Sequence, residues 1–312
     1  MLQRSGNFGT QLRALASLYQ WPDLCFLGIL EIYKLNQIFY RYRGKTGLAK
    51  LINNQWYTHR QFPERREDNA LAKAYIGTSG WNYQHWKSRF YQNLPRSQWL
   101  SYYASRFNAV EIDSTFYRLQ SDKTFQRWYE QTPDNFRFAI KANRYLPHTK
   151  RLNRPQDAIG IERQHAYALK EKLALVLSQL PGSFTVNTQR LSNFIDALAG
   201  WNSVRHTIEF RHSSWFETEV AALLHHANIA VCQSDAGDWP LWPEVTADFV
   251  YLRLHGKPQT YVSNYSARKL SSLADKAKAW LKQGLDVHVY FNNDANGRAP
   301  LNALSLQQLI GG

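Results

Sequence analysis

Methionine is almost missing from this chain: among 312 residues it occurs once, at Met1. Cysteine is nearly as scarce, and Cys25 and Cys232 are too few for a disulfide framework or for a structural zinc site built on thiolates. Long apolar runs are absent as well. Residues 24–30 form the longest near the start, far too short to cross a bilayer. No basic flank precedes that run and no small-residue cleavage pattern follows it, so no signal peptide is expected. There is no internal repeat and no low-complexity tract. With 44% hydrophobic and 20% charged residues, wholesale disorder is excluded too. These absences predict a soluble, cytoplasmic chain with a sizeable core and no membrane partner.

Acidic residues are also in short supply. Thirty-eight Lys and Arg stand against 24 Asp and Glu, for a formal net charge of +14. Basic proteins commonly meet polyanions, so nucleic acid enters as one partner class. The surplus is unevenly spread: residues 1–73 hold eleven Lys/Arg and five Asp/Glu, or +6, in under a quarter of the chain.

That first stretch differs from the rest. Residues 9–43 show some helical periodicity, with Leu12, Leu15, Leu18 and Tyr19 on one side, and the text then turns polar and irregular up to Asn69. Gly44-Lys45-Thr46 resembles the end of a phosphate loop, but Phe39 occupies the place of the motif's first glycine. A domain starting near Ala72 contains no Met of its own, Leu71 can be a TTG start, and residues 64–68 can be encoded by a purine-rich, ribosome-site-like stretch. Residues 1–70 are therefore expected to be a poorly ordered basic extension or an over-extended start, with the domain proper at 71–312.

From Tyr75 onward, short apolar or alternating runs are separated by helix-length amphipathic segments. The pattern predicts strands near 75–79, 108–113, 136–141, 173–178, 204–210, 228–232, 248–255 and 286–292. Helices are expected near 96–106, 121–131, 157–171, 190–200, 214–227, 266–283 and 301–310. Pro240 and Pro243 make residues 235–247 unsuitable for a regular helix. Eight strands alternating with helices over about 240 residues predict a single-domain α/β fold, a (β/α)8 TIM-type barrel.

Strand parity locates the site. Val250, Leu252 and Leu254 alternate with Tyr251, Arg253 and His255, and Ile208 and Phe210 with Glu209 and Arg211. Val110 and Ile112 likewise oppose Glu111 and Asp113, Phe138 and Ile140 oppose Ala139 and Lys141, and Val289 and Phe291 oppose Tyr290 and Asn292. Five strands thus carry a polar inward parity near their C-terminal ends, where barrel active sites sit.

This ring mixes signs. Lys141, Arg211 and Arg253 are cationic, Glu111, Asp113, Glu209 and Asp235 anionic, and His148, His212 and His255 can titrate near neutrality. Such charges either neutralise one another as a network holding the barrel mouth or meet a ligand. Glu111, Glu209 and His255 are the candidates for catalytic proton transfer. Lys141, Arg211 and Arg253 are the candidates to hold an anion, with His148, His212 and Asp235 beside them. No H-E-x-x-H or comparable His and carboxylate set appears, so no metal is assigned and no cofactor is named. Trp81, Tyr117 and Trp215 are expected to wall the pocket as stacking faces, although loop-anchoring is an equally physical role. Asn292, Asn293 and Asp294 add polar groups to the rim, where turn capping is the alternative. Ser79, in Gly77-Thr78-Ser79-Gly80-Trp81, is not in a nucleophile-elbow pattern.

These motifs in this order resemble the YecE-like family, domain of unknown function 72. The resemblance rests on Gly77-Thr78-Ser79-Gly80-Trp81 with Tyr83 and Trp86, Val110-Glu111-Ile112 with Thr115-Phe116-Tyr117, Phe138-x-x-Lys141, and Gln179-Leu180-Pro181. Glu209-x-Arg211-His212-x-x-Trp215, Arg253-Leu254-His255-Gly256 and Tyr290-Phe291-Asn292-Asn293-Asp294 complete it. It covers residues from about Tyr75 to Leu309 and implies a single-domain barrel, but it carries no reaction. Members usually show a Thr-His pair in the third βα loop, where Pro147 precedes His148 here, and they usually begin just before the Gly-Thr-Ser-Gly-Trp motif. The leading expectation is an enzyme or ligand-binding barrel for a small polar ligand bearing a phosphate or sugar. The alternative is a nucleic-acid-binding barrel that uses basic charge and rim aromatics.

Overall fold

The computed structural model describes residues 71–311. The expectations for residues 1–70, including the domain boundary at 70/71, lie outside the described residues.

Eight strands follow one another at the predicted places: β1 (Ala74–Thr78), β2 (Ala109–Ile112), β3 (Arg137–Lys141), β4 (Leu173–Gln179), β5 (Arg205–Glu209), β6 (Ala230–Ala236), β7 (Phe249–Gly256) and β8 (Asp286–Phe291). All ladder pairs are parallel, in the order β1-β8-β7-β6-β5-β4-β3-β2. The helices are α1 (Trp99–Ala104), α2 (Asp122–Glu130), α3 (Pro155–Ala166), α4 (Thr188–Leu198), α5 (Thr218–His226), α6 (Ala267–Lys282) and α7 (Arg298–Gly311), with one further helical turn at Ser114–Tyr117. Local chemistry sets their starts. Ser121, Asn187 and Ser266 cap α2, α4 and α6 through their side-chain oxygens, and Pro155 occupies the first turn of α3. No helix follows β6, as its prolines predict. Among the described residues no helix is long and apolar enough to cross a membrane.

Strands β1 and β2 close the barrel by other means than a full ladder. Their backbones share one bridge, Ser79 with Glu111, and the Gly80 N–H donates to the Glu111 carbonyl at 2.7 Å. Below it, the Asn108 amide accepts from the Ile76 N–H at 3.0 Å and donates to the Ala74 carbonyl at 2.7 Å. The Tyr103 hydroxyl accepts from the Thr78 N–H at 2.8 Å and donates to the Ala109 carbonyl at 3.2 Å. Gly77 is required here, because a Cβ would lie 2.0 Å from the Ala109 carbonyl oxygen. The result is a nearly closed eight-stranded α/β barrel.

Two apolar layers follow from strand parity. Val110, Ile112, Phe138, Ile140, Ile208, Val250, Leu252, Leu254, Val289 and Phe291 pack outward against the helices. Ala109, Ala139, Leu175, Leu177, Cys232, Phe249, Tyr251 and Tyr290 fill the interior. Strand β6 runs four residues past its predicted end at 232, through the buried Gln233 and Ser234. Its polar text hid its buried setting. The predicted helix at 157–171 begins earlier, at Pro155, and tightens after Ala166 into a 3-10 segment, Tyr167–Lys172.

Candidate functional site

Above Tyr251 and Tyr290 the barrel interior changes from apolar to ionic. Arg253, on β7 and only 1% exposed, stands at the centre. Its Nε and Nη2 donate to Glu111 of β2 at 2.9 and 2.7 Å, and its Nη1 donates to Glu209 of β5 at 2.7 Å. Glu111 is saturated: one oxygen also accepts from the Ser79 hydroxyl at 2.5 Å, and the other accepts from the Tyr251 hydroxyl at 2.5 Å. Glu209 accepts in addition from Arg211 Nε at 2.8 Å. Burial works to raise the pKa of Glu209, but Arg211 and Arg253 outweigh it and hold the carboxyl well below its usual range. Burial likewise opposes the charge on Arg253, and the two glutamates overcome it.

Around this triad the remaining cations have fewer partners. Arg211 spends only Nε on Glu209, and its two terminal nitrogens carry no hydrogen bond among the described residues. Its guanidinium lies 3.7 Å from the ring centroid of Trp239, a residue of the helix-free loop after β6. Lys141 ends β3 with its amine 4.0 Å from the Phe116 ring centroid and no ion pair among the described residues. Burial, and then the charge of Arg253, lower its pKa to about 8.

Two histidines of the cluster accept a hydrogen bond on one ring nitrogen. Gln179 donates from Nε2 to His148 Nε2 at 3.1 Å, and burial followed by the nearby Lys141 charge lowers the His148 pKa. Asn292 donates to His255 Nδ1 at 3.1 Å, which places the ring proton on Nε2. That buried Nε2 has no partner among the described residues, and burial keeps His255 well below its ordinary pKa. Its ring packs against Trp239 and Tyr261. Asp113 accepts from the Tyr83 hydroxyl at 3.3 Å, and its pKa is raised by burial and then by Glu111.

The structure thus brings together Glu111, Lys141, His148, Glu209, Arg211, Arg253, His255 and Asn292. Other predicted site residues have different settings. Trp81 is buried edge-on against Trp128, and Trp215 is buried among Phe184 and Phe210 with its indole N–H on the Phe184 carbonyl. Tyr117 is 70% exposed beside Phe116. His212 caps the turn Ser213–Trp215 by accepting from the Ser214 N–H. Asn293 is buried and donates to the Ser263 carbonyl and to Asn302. Through its carbonyl, Asp294 accepts from the Trp86 indole N–H at 3.1 Å. Asp235 pairs with Lys257 at 3.3 Å. Two members of the cluster escaped the sequence reading of the site: Gln179, which shares the inward parity of β4, and Trp239, whose loop gives no periodic signal; Tyr251 stood on the inward parity of β7 without an assigned role.

A cleft of about 530 Å³ opens at the opposite end of the barrel, among Tyr75, Arg137, Arg205, His206, Asp248 and His288. Arg205 is paired there with Asp286 at 2.6 Å and with Asp248 at 3.6 Å. The N-terminal face of such barrels ordinarily serves stability, so volume alone does not move the site there. Among the described residues no three His, Cys, Asp or Glu side chains gather as a metal site.

Fold and cluster together define a parallel α/β barrel with an ion-paired polar layer at the C-terminal ends of its strands. The family described as "Protein of unknown function DUF72" matches residues 75–312, and the chain belongs to that family. UPF0759 protein YunF of Bacillus subtilis is 26% identical over 268 residues, covering 76% of this chain and 94% of that protein. UPF0759 protein YecE of Escherichia coli is 29% identical over 143 residues, or 46% of this chain and 50% of that protein. The crystal structure of a DUF72 family protein from Thermotoga maritima superposes with a TM-score of 0.69 at 27% identity, covering 77% of this chain and all of that one.

Proposed function

We propose that the C-terminal mouth of the barrel binds a small ligand carrying an anionic group, of the phosphate or sugar-phosphate kind. The observation that carries this reading is that two cationic groups at the cluster keep hydrogen-bonding capacity unspent among the described residues. Arg253, Arg211 and Lys141 face the carboxylates of Glu111 and Glu209, which Arg253 and the Nε of Arg211 already occupy. What is left pointing to a ligand is the pair of terminal nitrogens on Arg211 and the amine of Lys141. A guanidinium fork suits two phosphate oxygens, and the Trp239 face fixes its plane. Gln179, His148 and Asn292 supply neutral hydrogen-bonding groups for hydroxyls around it.

Isothermal titration with glycerol 3-phosphate, ribose 5-phosphate and their unphosphorylated counterparts tests the reading. The phosphorylated compounds are expected to bind, the neutral ones not. Arg211→Gln is expected to weaken binding by roughly tenfold or more, as for loss of about 1.5–3 kcal/mol of charged hydrogen bonding. Equal binding of neutral and phosphorylated compounds overturns it. A single-stranded oligonucleotide is the comparison: tight binding that falls steeply in a log-log plot against salt would instead support a nucleic-acid role.

A further inference from the structure

We propose that Lys141 is a covalent site, where its amine condenses with the carbonyl carbon of an aldehyde or ketone bearing an anionic group. The inference deepens the function proposed above and rests on it, since Arg211 holds the anionic group of the same ligand.

A lysine becomes a nucleophile only when its amine can be neutral, when nothing pins it as an ammonium, and when a substrate can reach it. Lys141 meets each condition, although the Phe116 ring face at 4.0 Å favours its ammonium modestly. The residue is 8% exposed and ends a strand inside the charged ring, so its charged form is poorly solvated. Both glutamates that could have claimed it are taken by arginines. The amine has neither a hydrogen bond nor an ion pair among the described residues. Its place at the C-terminal end of β3 puts it on the face from which substrates enter barrels of this kind. Two other lysines show what a structural or paired amine looks like here. Lys172 is buried too, but it donates to the carbonyls of Tyr129 and Thr132 at 2.7 and 2.6 Å. Lys257 pairs with Asp235. The pKa of Lys141, lowered to about 8 by burial and then by Arg253, agrees with the geometry.

The step balances without a further reagent. The amine lone pair adds to the carbonyl carbon, a C–N bond forms, and the carbonyl oxygen takes up one amine proton to give a carbinolamine. The C–O bond then breaks, the oxygen leaves as water with the second amine proton, and a C=N bond remains. Nothing is oxidised or reduced. Arg211, whose two terminal nitrogens carry no hydrogen bond among the described residues, orients the carbonyl compound by its anionic end.

Borohydride trapping on the full chain tests this. The protein is incubated with glyceraldehyde 3-phosphate, reduced, digested and mapped by mass spectrometry. One secondary-amine adduct is expected at Lys141, about tenfold or more above any surface lysine, with a half-maximum near pH 8. It should be absent in Lys141→Arg, whose fold is checked by circular dichroism. Adducts spread evenly over the surface lysines, or mapped elsewhere and unchanged in Lys141→Arg, overturn the proposal. Two further probes separate the layers of the argument. Binding of glycerol 3-phosphate without any Lys141 adduct sinks the imine and leaves the anion site standing. An equally strong Lys141 adduct from unphosphorylated glyceraldehyde sustains the reactive amine and overturns the anionic ligand class.

Discussion

Arg253 does at residue scale what no apolar side chain could do in its place: it neutralises two carboxylates that are themselves completely buried. Removing one partner of such a pair leaves an uncompensated charge in a poorly solvated site. Arg253→Met is therefore expected to cost about 3–5 kcal/mol in urea unfolding. A loss below about 1 kcal/mol would show that the glutamates find other partners. Lys141 is the opposite case, a desolvated cation with no ion pair among the described residues. Lys141→Met should leave stability unchanged or raise it by about 1 kcal/mol, while weakening the binding of phosphorylated ligands in titration. A large destabilisation would assign Lys141 to the scaffold instead.

At the scale of elements, the seam between β1 and β2 depends on two side chains where a ladder would otherwise run. Asn108→Ala orphans the Ile76 N–H and the Ala74 carbonyl together, with an expected loss of about 2–4 kcal/mol and faster hydrogen exchange confined first to β1. Exchange that quickens uniformly would argue against a local seam. Helix α3 carries a pH dependence of its own. Glu162 is buried on it and accepts from the Asn143 N–H at 2.9 Å in the loop after β3, and burial raises its pKa to about 7 although that bond works to lower it. Between the unfolded value near 4.5 and about 7, the folded protein keeps a proton that the unfolded chain has released. Stability therefore falls as pH rises through that window, and the penalty is complete above it. Glu162→Gln keeps an acceptor for Asn143 and removes the titration. Its expected gain is on the order of 2–3 kcal/mol at pH 8 and near zero at pH 4.5, read from urea midpoints. A gain of equal size at both pH values would exclude the proton as its cause.

For the whole molecule, all eight strands and the layers on both sides of them lie between Ala74 and Gly311, within the span matched to the family. A fragment of residues 71–312 is accordingly expected to unfold in one cooperative transition, with fluorescence and circular dichroism midpoints that coincide. Separate transitions would contradict a single core. Most of this architecture is legible in the chain because a barrel strand has two faces with different solvents. Val250, Leu252 and Leu254 must meet helices, Tyr251, Arg253 and His255 must meet the interior, and a period of two residues records both demands. The same logic picked out Glu111, Lys141, Glu209 and Arg211. It could not find Trp239, because a loop residue has no period, and it could not separate Trp81 and Trp215 from pocket walls, because a tryptophan's partners lie far away in sequence. The pairing of the charges was beyond it as well. Which carboxylate Arg253 claims, and that Lys141 is left without an ion pair among the described residues, depends on distances between strands up to 142 positions apart. Alternation along one strand determined which residues face the centre of this protein; only the nearly closed barrel, by setting how far apart they stand there, decided which charges pair and which do not.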